Sequence, residues 1–349
     1  MEDRDSDIPL PKNALIVGIV YNLKKGIAAP TVDAEAELDS IDTVHAIKAA
    51  LVRQGCRVVL LEADKNLPQK LSETKLDLVF NIAEGINGRD REAQVPALLD
   101  MLDIPYTGSD AATLCIALDK ALTKRILATY HIKTPPYQLL YPGAPIKLQH
   151  VKYPVIVKPN AEGSSKGISD VSIARNAEEL TALLTRNLDL YRTEMLVEGF
   201  VSGREFTVGI VGNGADTHVF SPMEIVYTRN TQGDYRVYSY TVKQDYTRYV
   251  RYECPAHISE LAEQKMIRTA KKIYDTLACR DFARIDFRLS DDEREVHFIE
   301  INPLPGLAPG YSDFPMLAEF CGVSYDALIE RILHAALQRT GAMNREAAK

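Results

Sequence analysis

The sequence predicts an α/β unit with a parallel sheet, followed by α+β units with antiparallel sheets, and three observations carry that prediction. Apolar runs at 13–21, 57–61 and 76–82 alternate with helical patterning, as parallel strands joined by crossover helices require. Segments 205–211 and 217–226, and later 284–287 and 298–302, lie close enough to pair as antiparallel strands. A length of 349 residues exceeds one ordinary core and predicts two or three domains.

In order along the chain, NALIVGIVY at 13–21 reads as a buried strand. Leu38, Ile41, Val44, Ile47 and Leu51 then recur at helical spacing, predicting a helix over about 34–54. RVVLL at 57–61 and LDLVFNI at 76–82 are further buried strands, and 91–102 is a helix. Ile104 to Gly108 form a short strand and turn, and 113–130 is helical up to the boundary Thr134-Pro135-Pro136. PVIVK at 154–158 is a strand leading into a loop of small polar residues, Asn160 to Gly167. The span 227–251 is polar and Tyr-rich, a long loop of the kind that is more often functional than accidental. Helices near 257–277 and 324–340 flank the last strand pair.

Composition excludes several classes. The net charge of -7, with no strongly basic segment, argues against nonspecific nucleic-acid binding. Five scattered Cys without a CxxC pair read as apolar thiols in a reducing compartment rather than a disulfide or zinc framework. The acidic first residues do not resemble a signal peptide, and no apolar run approaches the roughly 20 residues of a membrane span. The expected location is cytoplasmic.

The chemistry concentrates in Arg284-Ile285-Asp286-Phe287 and Phe298-Ile299-Glu300-Ile301-Asn302-Pro303. Asp286, Glu300 and Asn302 offer only oxygen donors, which suits a hard cation bound together with substrate phosphates. Arg284 shares a strand face with Asp286 and can meet an anion there. Glu162 to Gly167 follow a strand that ends near Lys158, and small residues there let backbone amides close over phosphate oxygens. No GK[ST] stands where a Walker A loop requires it. Taken singly, Lys120 and Lys158 read as surface lysines, and Glu198 and Glu205 as solvated acids; their joint placement changes that reading.

From Lys120 onward these segments resemble the ATP-grasp superfamily, specifically the D-alanine–D-alanine ligase family. The matching pieces are Leu118-Asp119-Lys120, PVIVKP with EGSSKGI, LVEGFVSGREFTVGIV, ARIDF and FIEINPLPGL. The stretch from Val79 to Asp110 fits more weakly, and the resemblance covers nearly the whole chain. It implies an N-terminal parallel domain over 1–118, a central lid domain over 119–205 and a C-terminal domain over 206–349. It implies ATP as substrate and two Mg²⁺ ions (with Mn²⁺ as a substitute) held by Asp286, Glu300 and Asn302. Lys120 and Lys158 would bridge the ATP phosphates, with Glu162, Ser164 and Ser165 in the loop above them. Glu198 would mark the adenine hinge, Glu205 the ribose and Lys243 the γ-phosphate. Arg284 and the backbone of Gly306 would steady an oxyanion, and Ser312, beside Tyr311, would anchor the acceptor's carboxylate. The implied reaction is carboxylate–amine ligation through an acyl phosphate, and a homodimer is the assembly the resemblance implies.

The substrate side departs from the family pattern. Glu84 stands where a His is usual, Arg89 where the next turn carries an acid, and Gln244 where a Tyr is usual. Glu35 and Glu37 lie in an altered loop after the first strand, in a register the sequence leaves open. These departures lead to the expectation of an amino-acid-like substrate other than a D-alanine pair. D-alanine–D-alanine ligation proper and a non-catalytic nucleotide-binding module are the alternatives.

Overall fold

Strand β1 (Ile16–Tyr21) is covered on both faces, which is why its run carries no polar break. The computed structural model describes residues 14–26, 35–146, 148–162, 172–228, 242–243 and 245–342. Helix α1 (Ile41–Arg53) begins later than the periodicity predicts, because Ser40 takes the N-cap position and accepts the Thr43 amide at 3.3 Å. Leu38 therefore belongs to the preceding turn. Strand β2 (Arg57–Glu62), helix α2 (Leu67–Glu73) and strand β3 (Leu78–Asn81) complete a parallel sheet of order β2-β1-β3. The short strand expected at 104–108 appears as an isolated bridge of Tyr106 to Val79.

Helix α3 (Gln94–Met101) follows a 3₁₀ turn at Arg91–Ala93. The single helix expected over 113–130 is two, α4 (Ala111–Leu118) and α5 (Lys120–Thr129). Asp119 breaks them with an extended backbone and caps α5, accepting the Leu122 amide at 2.9 Å. That break sets Lys120 at the start of a helix, facing the site.

Strands β4 (Tyr137–Leu140), β5 (Val155–Pro159) and β6 (Ile173–Ala174), helix α6 (Ala177–Tyr191) and strand β7 (Met195–Gly199) build the second unit. Its antiparallel sheet has the order β4-β7-β5-β6. The third sheet takes β8 (Arg204–Val211), β9 (His218–Val219), β10 (Met223–Tyr227) and, after helix α7 (Tyr246–Tyr249), β11 (Val250–Glu253). Helix α8 (Glu260–Thr276) leads into β12 (Phe282–Leu289) and β13 (Val296–Asn302). The order β11-β10-β8-β12-β13 is antiparallel throughout, with β9 paired to β8.

Helix α9 (Asp313–Phe320), which periodicity did not predict, precedes the last helix, α10 (Tyr325–Thr340). Ile329, Ile332, Leu333 and Ala336 of α10 share one core with Val44, Ile47 and Leu51 of α1. Arg53 fastens the two helices with bonds of 2.7 Å to each carboxylate oxygen of Asp326. The C-terminal end of the chain thus closes a face of the N-terminal sheet, and the site lies where the three sheets meet.

Candidate active site

Strands β12 and β13 pair as the antiparallel hairpin that the sequence suggested. Asp286 stands opposite Glu300, and Arg284 opposite Asn302. A bulge between Asp286 and Phe287 leaves Ile299 as the extra residue, so the apolar side chains of Phe287 and Phe298 return to the core below the acids. Arg284 grips Asp286 through Nε at 3.1 Å and Nη2 at 2.8 Å, and its Nη1 reaches Asp313 at 3.4 Å. The Asn302 amide approaches Asp286 at 3.5 Å.

The charges of these groups are strongly perturbed. Burial raises the Asp286 carboxyl, Arg284 opposes it and Glu300 adds to it. Burial also pushes Glu300 up, but Lys120, Lys158 and Arg284 outweigh it and hold that carboxyl at about 2. Two facing carboxyls, one raised partly by the other, form an oxygen-only pair whose repulsion a divalent cation would relieve. Among the described residues no group of three or more His, Cys, Asp or Glu is placed to hold a metal ion.

Lys120 donates to the Glu162 carbonyl at 2.5 Å and lies 3.4 Å from Glu300. Lys158 pairs with Glu198 at 2.8 Å. Glu205 accepts the Tyr227 hydroxyl at 2.7 Å and lies 3.1 Å from Arg288. A cavity gathers ten of the sequence-predicted residues: Glu84, Lys120, Glu162, Lys243, Arg284, Glu300, Asn302, Gly306, Tyr311 and Ser312. Asp286, held by Arg284, stands outside its lining, as do Lys158, Glu198 and Glu205. A Cβ at Gly306 would meet Ser312 Oγ at 2.8 Å, so any side chain there would have to displace that hydroxyl. Ser312 Oγ in turn accepts the Ala308 amide at 3.1 Å, which holds the acceptor loop closed on itself. Ser164, Ser165 and Gln244 lie outside the described residues.

Arg89 does not take the position that its sequence suggested. Its side chain is 61% exposed, pairs with Asp119 at 2.5 Å and is absent from the cavity wall. Arg91, from the 3₁₀ turn, is the buried arginine of this segment: it pairs with Glu37 at 2.5 Å, donates to the Ala161 carbonyl at 3.0 Å and approaches Glu162 at 3.4 Å, behind the cavity wall that Glu37 and Glu162 form. Gly85, at φ +82, permits the sharp turn after Glu84, because a Cβ there would strike the Arg91 carbonyl at 2.0 Å. Glu37 faces the cavity, whereas Glu35 turns away to accept the Lys25 and Gly26 amides, both at 2.9 Å. Glu92, which the sequence did not single out, lines the cavity near Glu84. Burial first, and neighbouring acids second, raise Glu84 well above the carboxylate range and Glu92 to about 7.

Asp313 is the other residue that sequence reasoning missed. It is 3% exposed, faces Arg284 and accepts the Tyr252 hydroxyl at 3.0 Å. Its only signal was its place beside Ser312 at the start of an unforeseen helix. Among the thiols, Cys254 and Cys321 approach with their sulfurs 3.6 Å apart, and both are free.

The family model "D-ala D-ala ligase C-terminus" matches residues 141–334. The chain belongs to the D-alanine–D-alanine ligase family. A D-alanine–D-alanine ligase of Citrifermentans bemidjiense is 35% identical, over 90% of this chain and 96% of the relative. That of Carboxydothermus hydrogenoformans is 34% identical over 90% and 99%, and that of Aquifex aeolicus 37% identical over 84% and 94%. The Bacillus anthracis D-alanine–D-alanine ligase solved with ATP superposes with a TM-score of 0.74 at 21% identity, covering 94% of this chain and 99% of that one. That likeness establishes the ATP-grasp fold for this family member. No helix among its described residues is long and apolar enough to cross a membrane.

Proposed function

We propose that this chain is an ATP-dependent D-alanine–D-alanine ligase. The observation that carries the reading is the Asp286–Glu300 pair facing across β12 and β13, with Glu300, Arg284 and Lys120 on the wall of one cavity. The expectation of a different substrate finds no support in the comparisons, because relatives that match over nine-tenths of the chain carry the D-alanine–D-alanine ligase name. A purely nucleotide-binding module has no evident need for facing carboxyls beside a clamped arginine.

A carboxylate is a poor acyl donor, and phosphorylation by ATP converts it to an acyl phosphate that an amine can displace as phosphate leaves. Lys120 and Lys158 place two ammonium groups on the nucleotide side, where transferred charge accumulates. Asp286, Glu300 and Asn302 would hold Mg²⁺; when bound, it supplies charge neutralisation on phosphate oxygens. Arg284, locked between Asp286 and Asp313, presents a fixed guanidinium to a developing oxyanion. Lys243 lines the same cavity, and burial lowers its ammonium's pKa, with Asp313 opposing that shift. Glu84, Glu92 and Glu37 give the donor end of the cavity an acidic wall suited to an amino group.

A three-domain division near 118 and 205 belongs to the same reading; the second boundary falls two residues into β8, which belongs whole to the third sheet. A cytoplasmic location and a homodimer are kept with it. The deciding experiment measures ADP release with D-alanine as sole amino acid and weighs the product. D-alanyl-D-alanine is expected; ADP release that needs another amino acid, with D-alanine inert, would sink the assignment.

A further inference from the structure

Lys124 is a fully buried lysine that none of the steps above uses. It lies one turn beyond Lys120 on α5 and is 0% exposed. An ammonium has three donors and no acceptor, so burial demands three partners. Here Nζ lies 2.6 Å from Glu198 Oε1, 2.7 Å from Thr134 Oγ1 and 3.0 Å from the Ile299 carbonyl. The Nζ also sits 5.3 Å from the centre of the Phe298 ring.

These partners come from different sheets. Glu198 belongs to β7 of the second sheet, and Ile299 to β13 of the third, one residue before Glu300. Ile299 is also the bulged residue, whose position no partner across the strand pair fixes. Glu198 meanwhile serves two ammoniums, Lys124 and Lys158, with one carboxylate. Burial, with Lys158 adding to it, lowers Lys124 to about 8 despite Glu198 and Glu300, whereas Glu198, Glu300 and Glu205 outweigh burial at Lys158 and raise it.

We infer that Lys124 is a positioning residue, whose single ammonium fixes Glu198 against the bulge at Ile299 and so sets the spacing between the nucleotide end and the carboxylate end of the site. The inference rests on the reading of Glu198 and Lys158 as the nucleotide side. It predicts that loss of the ammonium loosens nucleotide binding while leaving the amino-acid end of the cavity intact. A purely structural lysine would lower stability and leave nucleotide affinity alone.

The test uses ADP binding to the full chain by calorimetry, with and without Mg²⁺, beside the KM values for ATP and for D-alanine. Lys124→Met should weaken ADP about tenfold or more and raise the ATP KM in step, with the D-alanine KM within about twofold. Lys124→Arg should recover part of the affinity, and Thr134→Val, a gentler change, should weaken ADP about threefold. Should Lys124→Met fail to fold, the other two variants decide. Folded variants with wild-type ADP affinity and a lowered Tm would overturn the inference. A wild-type protein that binds ADP yet leaves D-alanine inert would sink the proposed substrate alone; one that binds no ADP would sink both.

Discussion

Asp286 and Glu300 face each other across the β12–β13 pair, yet burial and neighbouring charge drive them apart: Asp286 is raised and Glu300 is held at about 2. The asymmetry comes from position. Glu300 has Lys120 at 3.4 Å and feels Lys158, whereas Asp286 has Arg284 alone as a cationic neighbour at bonding distance. One carboxylate is therefore fully charged before any cation arrives.

Glu300→Gln keeps the shape and removes that charge. Phosphate release should fall on the order of 10²–10³-fold or more, with Tm within a few degrees of wild type. A coupled ADP assay and a thermal scan measure both, and near wild-type turnover would remove the mechanism.

Asp313→Asn should act through Arg284. The guanidinium keeps Asp286 but loses its second anionic neighbour, 3.4 Å away. A drop in kcat of about 10- to 100-fold is expected, with the KM for ATP little changed. An unaltered kcat would show that Asp286 alone orients Arg284.

Arg91→Met should cost stability. Arg91 and Glu37 are 9% and 8% exposed at their side chains, and removing one partner strands the other's charge. The expected loss is about 3–5 kcal/mol in denaturant unfolding. A change below about 1 kcal/mol would mean that Glu37 takes up a proton or a new partner instead.

Glu92 links stability to pH. Its ordinary value is 4.5 and its folded value about 7, so between these the native state binds more protons than the unfolded chain. Stability of the ligand-free protein should therefore fall as pH rises through that window, and Asp39, raised by burial to about 7, adds to the same slope. The Tm of wild type should drop between pH 5 and 7, and that of Glu92→Gln should drop less. Parallel pH profiles would contradict the burial-driven shift.

The sequence by itself determined the elements that depend on local pattern. Alternation put Arg284 and Asp286 on one strand face, while the bulge at Ile299 and the register that sets Asp286 opposite Glu300 came from the folded strand pair. The parallel N-terminal sheet was readable because strands buried on both faces must be apolar throughout. Tertiary structure decided what depended on distance across the chain. Arg91 binds Glu37, 54 residues away, and is buried, whereas Arg89 stays exposed and meets Asp119, a difference that no pattern within the segment records. Lys124 likewise looked like any helical lysine until Glu198 and Ile299 arrived from two other sheets to satisfy it. A buried charge takes its identity from its partners, and periodicity in one segment carries no record of them.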